Sequence, residues 1–112
     1  PAAWRALAEL FAAYVEMHAG ELDAAAAWFS ASADSASKAR VEGWQLHAAL
    51  GGLAAARQLT AQTSAALDAS SRLLAVHESA GTHWPVTDLW LVEAVPALVA
   101  GGQQALADRH LR

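Results

Sequence analysis

With 112 residues, 55% of them hydrophobic and only 16% charged, the chain is long enough for one domain or a few units of a repeat array and has ample apolar surface to bury. A formal net charge of −4, with seven Lys and Arg scattered along the chain, argues against a phosphate-binding surface, so no direct nucleic-acid contact is expected. The absence of cysteine excludes disulfides, thiolate chemistry and Cys-based zinc sites and suits a cytoplasmic protein.

Alanine and leucine dominate and β-branched residues are few, which favours helix over strand. Pro1 suits a first helical turn, and Trp4, Leu7, Leu10, Phe11, Tyr14 and Met17 keep a helical period until Gly20 supplies a stop. Arg5 and Glu9 lie four apart on the opposite, wet face. A second helix opens near Glu21 or Leu22, with acids at the positive end of its dipole. Its apolar stripe is Leu22, Ala25, Ala26, Phe29, Ala33 and Ala36, with Ser30, Asp34, Ser35, Ser37 and Lys38 toward the solvated side.

The next turn falls within 39–43. A third helix then carries Val41, Trp44, Ala48, Ala55 and Leu59 on one stripe and Leu46, Leu50 and Leu53 on another, which predicts contacts on two sides. Gly51-Gly52 in its middle costs roughly 1 kcal/mol per glycine relative to alanine and calls for a close helix crossing, a kink or a ligand pocket. Thr60 to Ser64 is a polar connection, followed by a fourth helix with Ala66, Ser70, Leu73 and His77 on one face and Gly81 closing it. Gly81 to Pro85 reads as a loop. A fifth helix, about 85–100, is apolar nearly all round apart from Asp88 and Glu93, which interrupt it and exclude a membrane span; Pro96 should bend it. Gly101-Gly102 precedes a sixth helix cut short at Arg112. No signal peptide is visible, and the chain reads as a fragment of a larger protein.

A turn recurs near residues 20, 61 and 102, a spacing of about 41, and Ala25, Ala66 and Ala107 share a column at that spacing. Trp4, Trp44 and Trp84 recur at about 40. Helix pairs at such a period point to a solenoid, because one hairpin cannot bury its own apolar face and stacked hairpins can. Trp4-x-x-Leu7-Ala8-x-x-Phe11 resembles the first helix of a tetratricopeptide (TPR) repeat, and Gly20-Glu-Leu-Asp-x-Ala25-x-x-x-Phe29 its second half. The longer repeat and the alanine-rich texture are similar to the helical-repeat region of large ATP-binding LuxR-type bacterial transcription regulators. In the second unit Gly51 stands where an aromatic belongs, Thr60-Ala61 replaces the turn glycine and Ser70 the second aromatic.

The expected fold is therefore all-α: TPR-like hairpins, about five and a half helices, in a right-handed solenoid with units about 1–40, 41–81 and 82–112. Its expected role is a non-catalytic protein-interaction or signal-sensing scaffold. The alternative is a compact bundle binding a small apolar ligand between helices. The five histidines, among them His18, His47, His77 and His83, show no His-Glu-x-x-His and no i,i+4 pair, so no metal site is assigned. Neither a nucleophile motif nor a Gly-rich phosphate loop is present, and no catalytic residue or cofactor is expected.

The resemblance implies that the first helix of each pair lines a groove. That places Arg5, Glu9, Ala12 and Ala13 of the first unit, and Glu42, Gln45, Ala49, Gly52 and Leu53 of the second, toward a partner. Arg5, Glu9, Glu42 and Gln45 are the polar members and the candidate binding residues for a protein or peptide. A second candidate is a hydrophobic edge at Trp84, Trp90 and Leu91, where self-association is expected because the fifth helix has too many apolar faces to cover. The tryptophans are expected as core or inter-repeat wedges.

Overall fold

The computed structural model describes residues 1–40 and 44–80, the side chains of 77, 79 and 80 apart. These residues form four α-helices with no strand among them: α1 (Ala2–His18), α2 (Leu22–Lys38), α3 (Trp44–Leu59) and α4 (Thr63–Ala80). The expected fifth and sixth helices, the third unit, the Gly81–Pro85 loop and residues Val41, Glu42, Trp84, Trp90 and Leu91 lie outside the described residues.

Each helix packs on its successor, and α1 additionally touches α3. Ala6, Leu10 and Ala13 form the buried stripe of α1, at the i, i+4, i+7 spacing of one helical face. In α2 the stripe holds Ala25, Ala26, Phe29, Ala33 and Ala36, all buried, as the spacing predicts. Ser32 and Ser35 are buried too, so the serine-rich side of α2 is only partly solvated. The run from His47 to Ala54 on α3 is buried continuously, because α3 has α1, α2 and α4 around it. Neighbours on more than one side are what its two apolar stripes predict, but of the first stripe's described residues only Ala48 is buried: Trp44 and Leu59 are exposed and Ala55 is half-buried.

The core is built mainly from alanine; Phe29, Leu10, Leu50 and Leu73 are its largest fully buried side chains. Small residues at the crossings let helix axes approach to the short end of the usual 8–10 Å. Phe29 is the hub of this arrangement. Its ring meets Tyr14 of α1 edge-on, with centroids 5.3 Å apart and planes at 87°. On the other side it lies directly on Gly52 of α3, where a Cβ would fall 2.7 Å from its Cδ1 and closer still to Cε1 and Cζ. The glycine in mid-helix is thus a close crossing, and an aromatic ring already fills the space above it.

Four large residues placed on apolar stripes by periodicity are at the surface instead: Trp4 and Phe11 on α1 and Trp44 and Leu59 at the two ends of α3. Trp28 of α2 is also exposed. None of these three tryptophans is a core residue. Of the positions expected to line a groove, Ala13, Ala49, Gly52 and Leu53 are buried in the helix contacts, so they present nothing to a partner.

The turns follow from backbone chemistry. Gly20, at φ +80°, ends α1; its N–H donates to the Met17 carbonyl (3.1 Å) and the Glu21 N–H to that of Glu16 (2.9 Å). This is the Schellman pattern that satisfies the last helical carbonyls. After α3 the same pair recurs, Ala61 to Gln58 (3.1 Å) and Gln62 to Arg57 (2.8 Å), with Ala61 left-handed at φ +58°. The turn after α2 is left by Arg40, at φ +52°.

Candidate interaction groove

The helix register that buries Ala6 and Ala13 brings Arg5, Ala8 and Glu9 alongside α2. Facing them are Trp28, Ala31, Asp34, Ser35 and Lys38. Together they line an open groove of about 620 Å³ between the two helices. Its floor is small (Ala8, Ala31), its wall carries one indole, and its rim holds two cations and two carboxylates.

Two serines tie the walls together. The buried Ser32 hydroxyl donates to the Ala6 carbonyl at 2.7 Å, and Ser35 donates to Glu9 Oε1 at 2.5 Å. Hydrogen bonds to a charged acceptor are the stronger kind. Ser35 therefore orients Glu9 toward α2, and Glu9 is half-buried, in contrast to the fully wet face read from its spacing. Arg5 is exposed at the mouth of the groove. Gln45, half-buried on α3, is absent from the groove lining, so the structure joins Arg5 and Glu9 but not Gln45. Glu42 and the Trp84, Trp90, Leu91 edge lie outside the described residues.

Trp28, Asp34, Ser35 and Lys38 were missed by sequence reasoning, which assigned contacts to the first helix of each pair alone. A signal was present in Ser32 and Ser35: they stand three and six residues after Phe29, on the border of its stripe.

A second polar network sits at the turn between α3 and α4. Arg57 Nη1 donates to Gln62 Oε1 at 3.0 Å, and Gln62 Nε2 donates to the Thr60 hydroxyl at 3.0 Å and to Asp23 of α2 at 3.5 Å. Thr60 in turn donates to the carbonyls of Ala56 and Arg57. Every member closes a helix end or links two helices, which is a structural task.

His18 is exposed on α1 and His47 is buried on α3. Among the described residues no group of three or more His, Cys, Asp or Glu is placed to hold a metal ion, and no helix is long and apolar enough to cross a membrane. No family model matches the chain, and neither a curated protein nor a solved structure matches it.

Proposed function

We propose that the chain is a non-catalytic interaction module: a stack of TPR-like helical hairpins whose α1–α2 groove receives a peptide. The observation that carries this reading is the pair of equivalent turns. Gly20-Glu21 and Ala61-Gln62 make the same two backbone hydrogen bonds, about 41 residues apart, and each leads into a helix whose fourth N–H returns to the turn, Ala25 to Glu21 and Ala66 to Gln62. Two hairpins built on one plan, with α1 against α3, are what a solenoid requires. The right-handed sense and the continuation of the array through 82–112 belong to the same proposal.

The groove chemistry suits an extended or helical segment of protein. An indole gives an apolar anchor, and charges of both signs at the rim favour a partner of complementary charge, so that reversing one of them sets like charges against each other. A role as the sensing region of a cytoplasmic LuxR-type bacterial transcription regulator rests on the resemblance of Trp4–Phe11 and Gly20–Phe29 to that family's repeats.

The test is selection of peptides from a displayed library against the 112-residue chain, with binding read by titration of the purified peptide. Arg5→Glu and Lys38→Glu should each weaken the selected peptides by about tenfold while the circular dichroism stays helical. Peptides that bind both variants as tightly as the parent would place the site elsewhere.

A further inference from the structure

One stripe of α1 is apolar and open. Trp4, Ala8, Phe11 and Val15 stand at the i, i+4, i+7, i+11 spacing of a single helical face, and all four are exposed. We propose that this stripe is an inter-hairpin surface, and that it receives the second helix of a further hairpin preceding α1 in the same polypeptide.

The support is an interface already present in the molecule. The turns at Gly20-Glu21 and Ala61-Gln62 make the same hydrogen bonds, and aligning them sets Ala8, Phe11 and Val15 against Ala49, Gly52 and Ala56 of α3. Those three residues of α3 are all buried. Gly52, at their centre, lies under Phe29 of α2, the second helix of the preceding hairpin. The same face of a first helix is thus covered by its predecessor in one hairpin and open in the other. Since α1 and α2 repeat the plan of α3 and α4, the helix that fits against α1 is one in the position that α2 takes on α3.

Composition separates this stripe from the outer face of an array's end. Terminal repeats keep a polar outer face for solubility, whereas this stripe holds an indole, a phenyl ring and a valine. The exposed area is modest, and that favours a neighbour in the same polypeptide. A helix tethered by a short turn docks without most of the translational and rotational cost that a separate partner must offset.

The residues also specify the occupant. On α3 the ring comes from the covering helix and the space from Gly52. On α1, Phe11 stands in the place of Gly52 and Val15 in that of Ala56, so the bulk is on the receiving side. The covering helix must then carry a small residue, alanine, serine or glycine, where α2 carries Phe29. This inference rests on the repeat register of the proposed function.

Extension of the full chain tests it. Residues 1–41 are placed a second time directly before Pro1, which keeps the repeat spacing. Because the chain has no cysteine, Val15→Cys in the original copy reports coverage through its rate of maleimide labelling. In the unextended chain it should react as fast as Leu59→Cys, since both sites are 66% exposed. Two extended proteins should slow labelling at position 15 at least about tenfold and leave position 59 unchanged. One carries Phe29→Ala in the added copy. The other keeps Phe29 there and carries Phe11→Gly in the original copy, which recreates the Phe29–Gly52 pair. This second protein also retains the added hairpin's own contact between Phe29 and Tyr14, so it decides the matter where the first fails to fold. An extension that keeps both rings should protect position 15 less than either. Labelling as fast in the second protein as in the unextended chain would overturn the inference, and so would equal protection in all three. Protection that grows with concentration in the unextended chain would overturn it too, assigning the face to a second copy. A fully reactive position 15 in an unextended chain that still binds groove-selected peptides, with no protection on extension, would overturn this inference alone and leave the interaction module standing.

Discussion

Replacing Gly52 by alanine tests the crossing at the centre of the fold. In an exposed helix this change stabilises by roughly 1 kcal/mol, since alanine is the better helix former. Here the added methyl would stand 2.7 Å from Phe29 Cδ1 and nearer to Cε1 and Cζ, against ordinary carbon contacts of about 3.5–4.0 Å. The ring would have to retreat by about 1 Å. It is fully buried and backed by Tyr14, so it cannot swing into solvent. Overpacking of this kind costs typically 1–3 kcal/mol, and the depth of the overlap points to the upper half of that range. Net of the propensity gain, Gly52→Ala should destabilise by about 1–2 kcal/mol, a fall in melting temperature of roughly 5–15 °C. A thermal melt followed by circular dichroism measures it. The double mutant with Phe29→Leu supplies the control: shortening the aromatic should remove most of the penalty, giving a coupling energy of about 1 kcal/mol or more. A Gly52→Ala protein more stable than the parent would refute the packing of Phe29 on α3.

Other substitutions probe the remaining contacts. Ala25 is fully buried in the core cluster with Leu10 and Ala13, so Ala25→Leu should cost roughly 1–3 kcal/mol; an unchanged melting curve would contradict the α1–α2 packing. Ser32→Ala removes the buried hydrogen bond to Ala6 and should lower the urea midpoint by the equivalent of about 1 kcal/mol with an unchanged slope. Ser35→Ala should release Glu9 into the groove and cost less, because that pair is only part-buried. At the turns, Gly20→Ala should destabilise by about 1 kcal/mol, whereas Ala61→Gly, relieving a left-handed alanine, should gain a few tenths to 1 kcal/mol in chemical denaturation.

Much of the helical plan was legible in the residues because it depends on short-range chemistry. The 3.6-residue period placed Ala25, Ala26, Phe29, Ala33 and Ala36 on one face, and Gly20 ended α1 because a residue without a Cβ enters the left-handed region at little cost. The two apolar stripes of the third helix correctly implied neighbours on more than one side. Periodicity could not say which large residues stay outside. Trp4, Phe11, Trp44 and Leu59 fit a helical stripe, yet all four are exposed, since an apolar residue on a helix face carries no information about whether a neighbour exists there.

The groove was only half visible for a similar reason. Arg5 and Glu9 were found from the polar side of one helix, but the α2 wall, Trp28, Asp34, Ser35 and Lys38, depends on how α2 is rotated against α1. That rotation is set by the meeting of Ser32 with Ala6 and of Ser35 with Glu9, contacts spanning 26 residues of sequence. The sequence by itself determined where the four described helices run and which face of α2 is buried, because propensity and period are local. Only the tertiary structure decided that Phe29 fills the space over Gly52 and that Trp4, Trp28 and Trp44 are left exposed, because those outcomes depend on which helix faces meet.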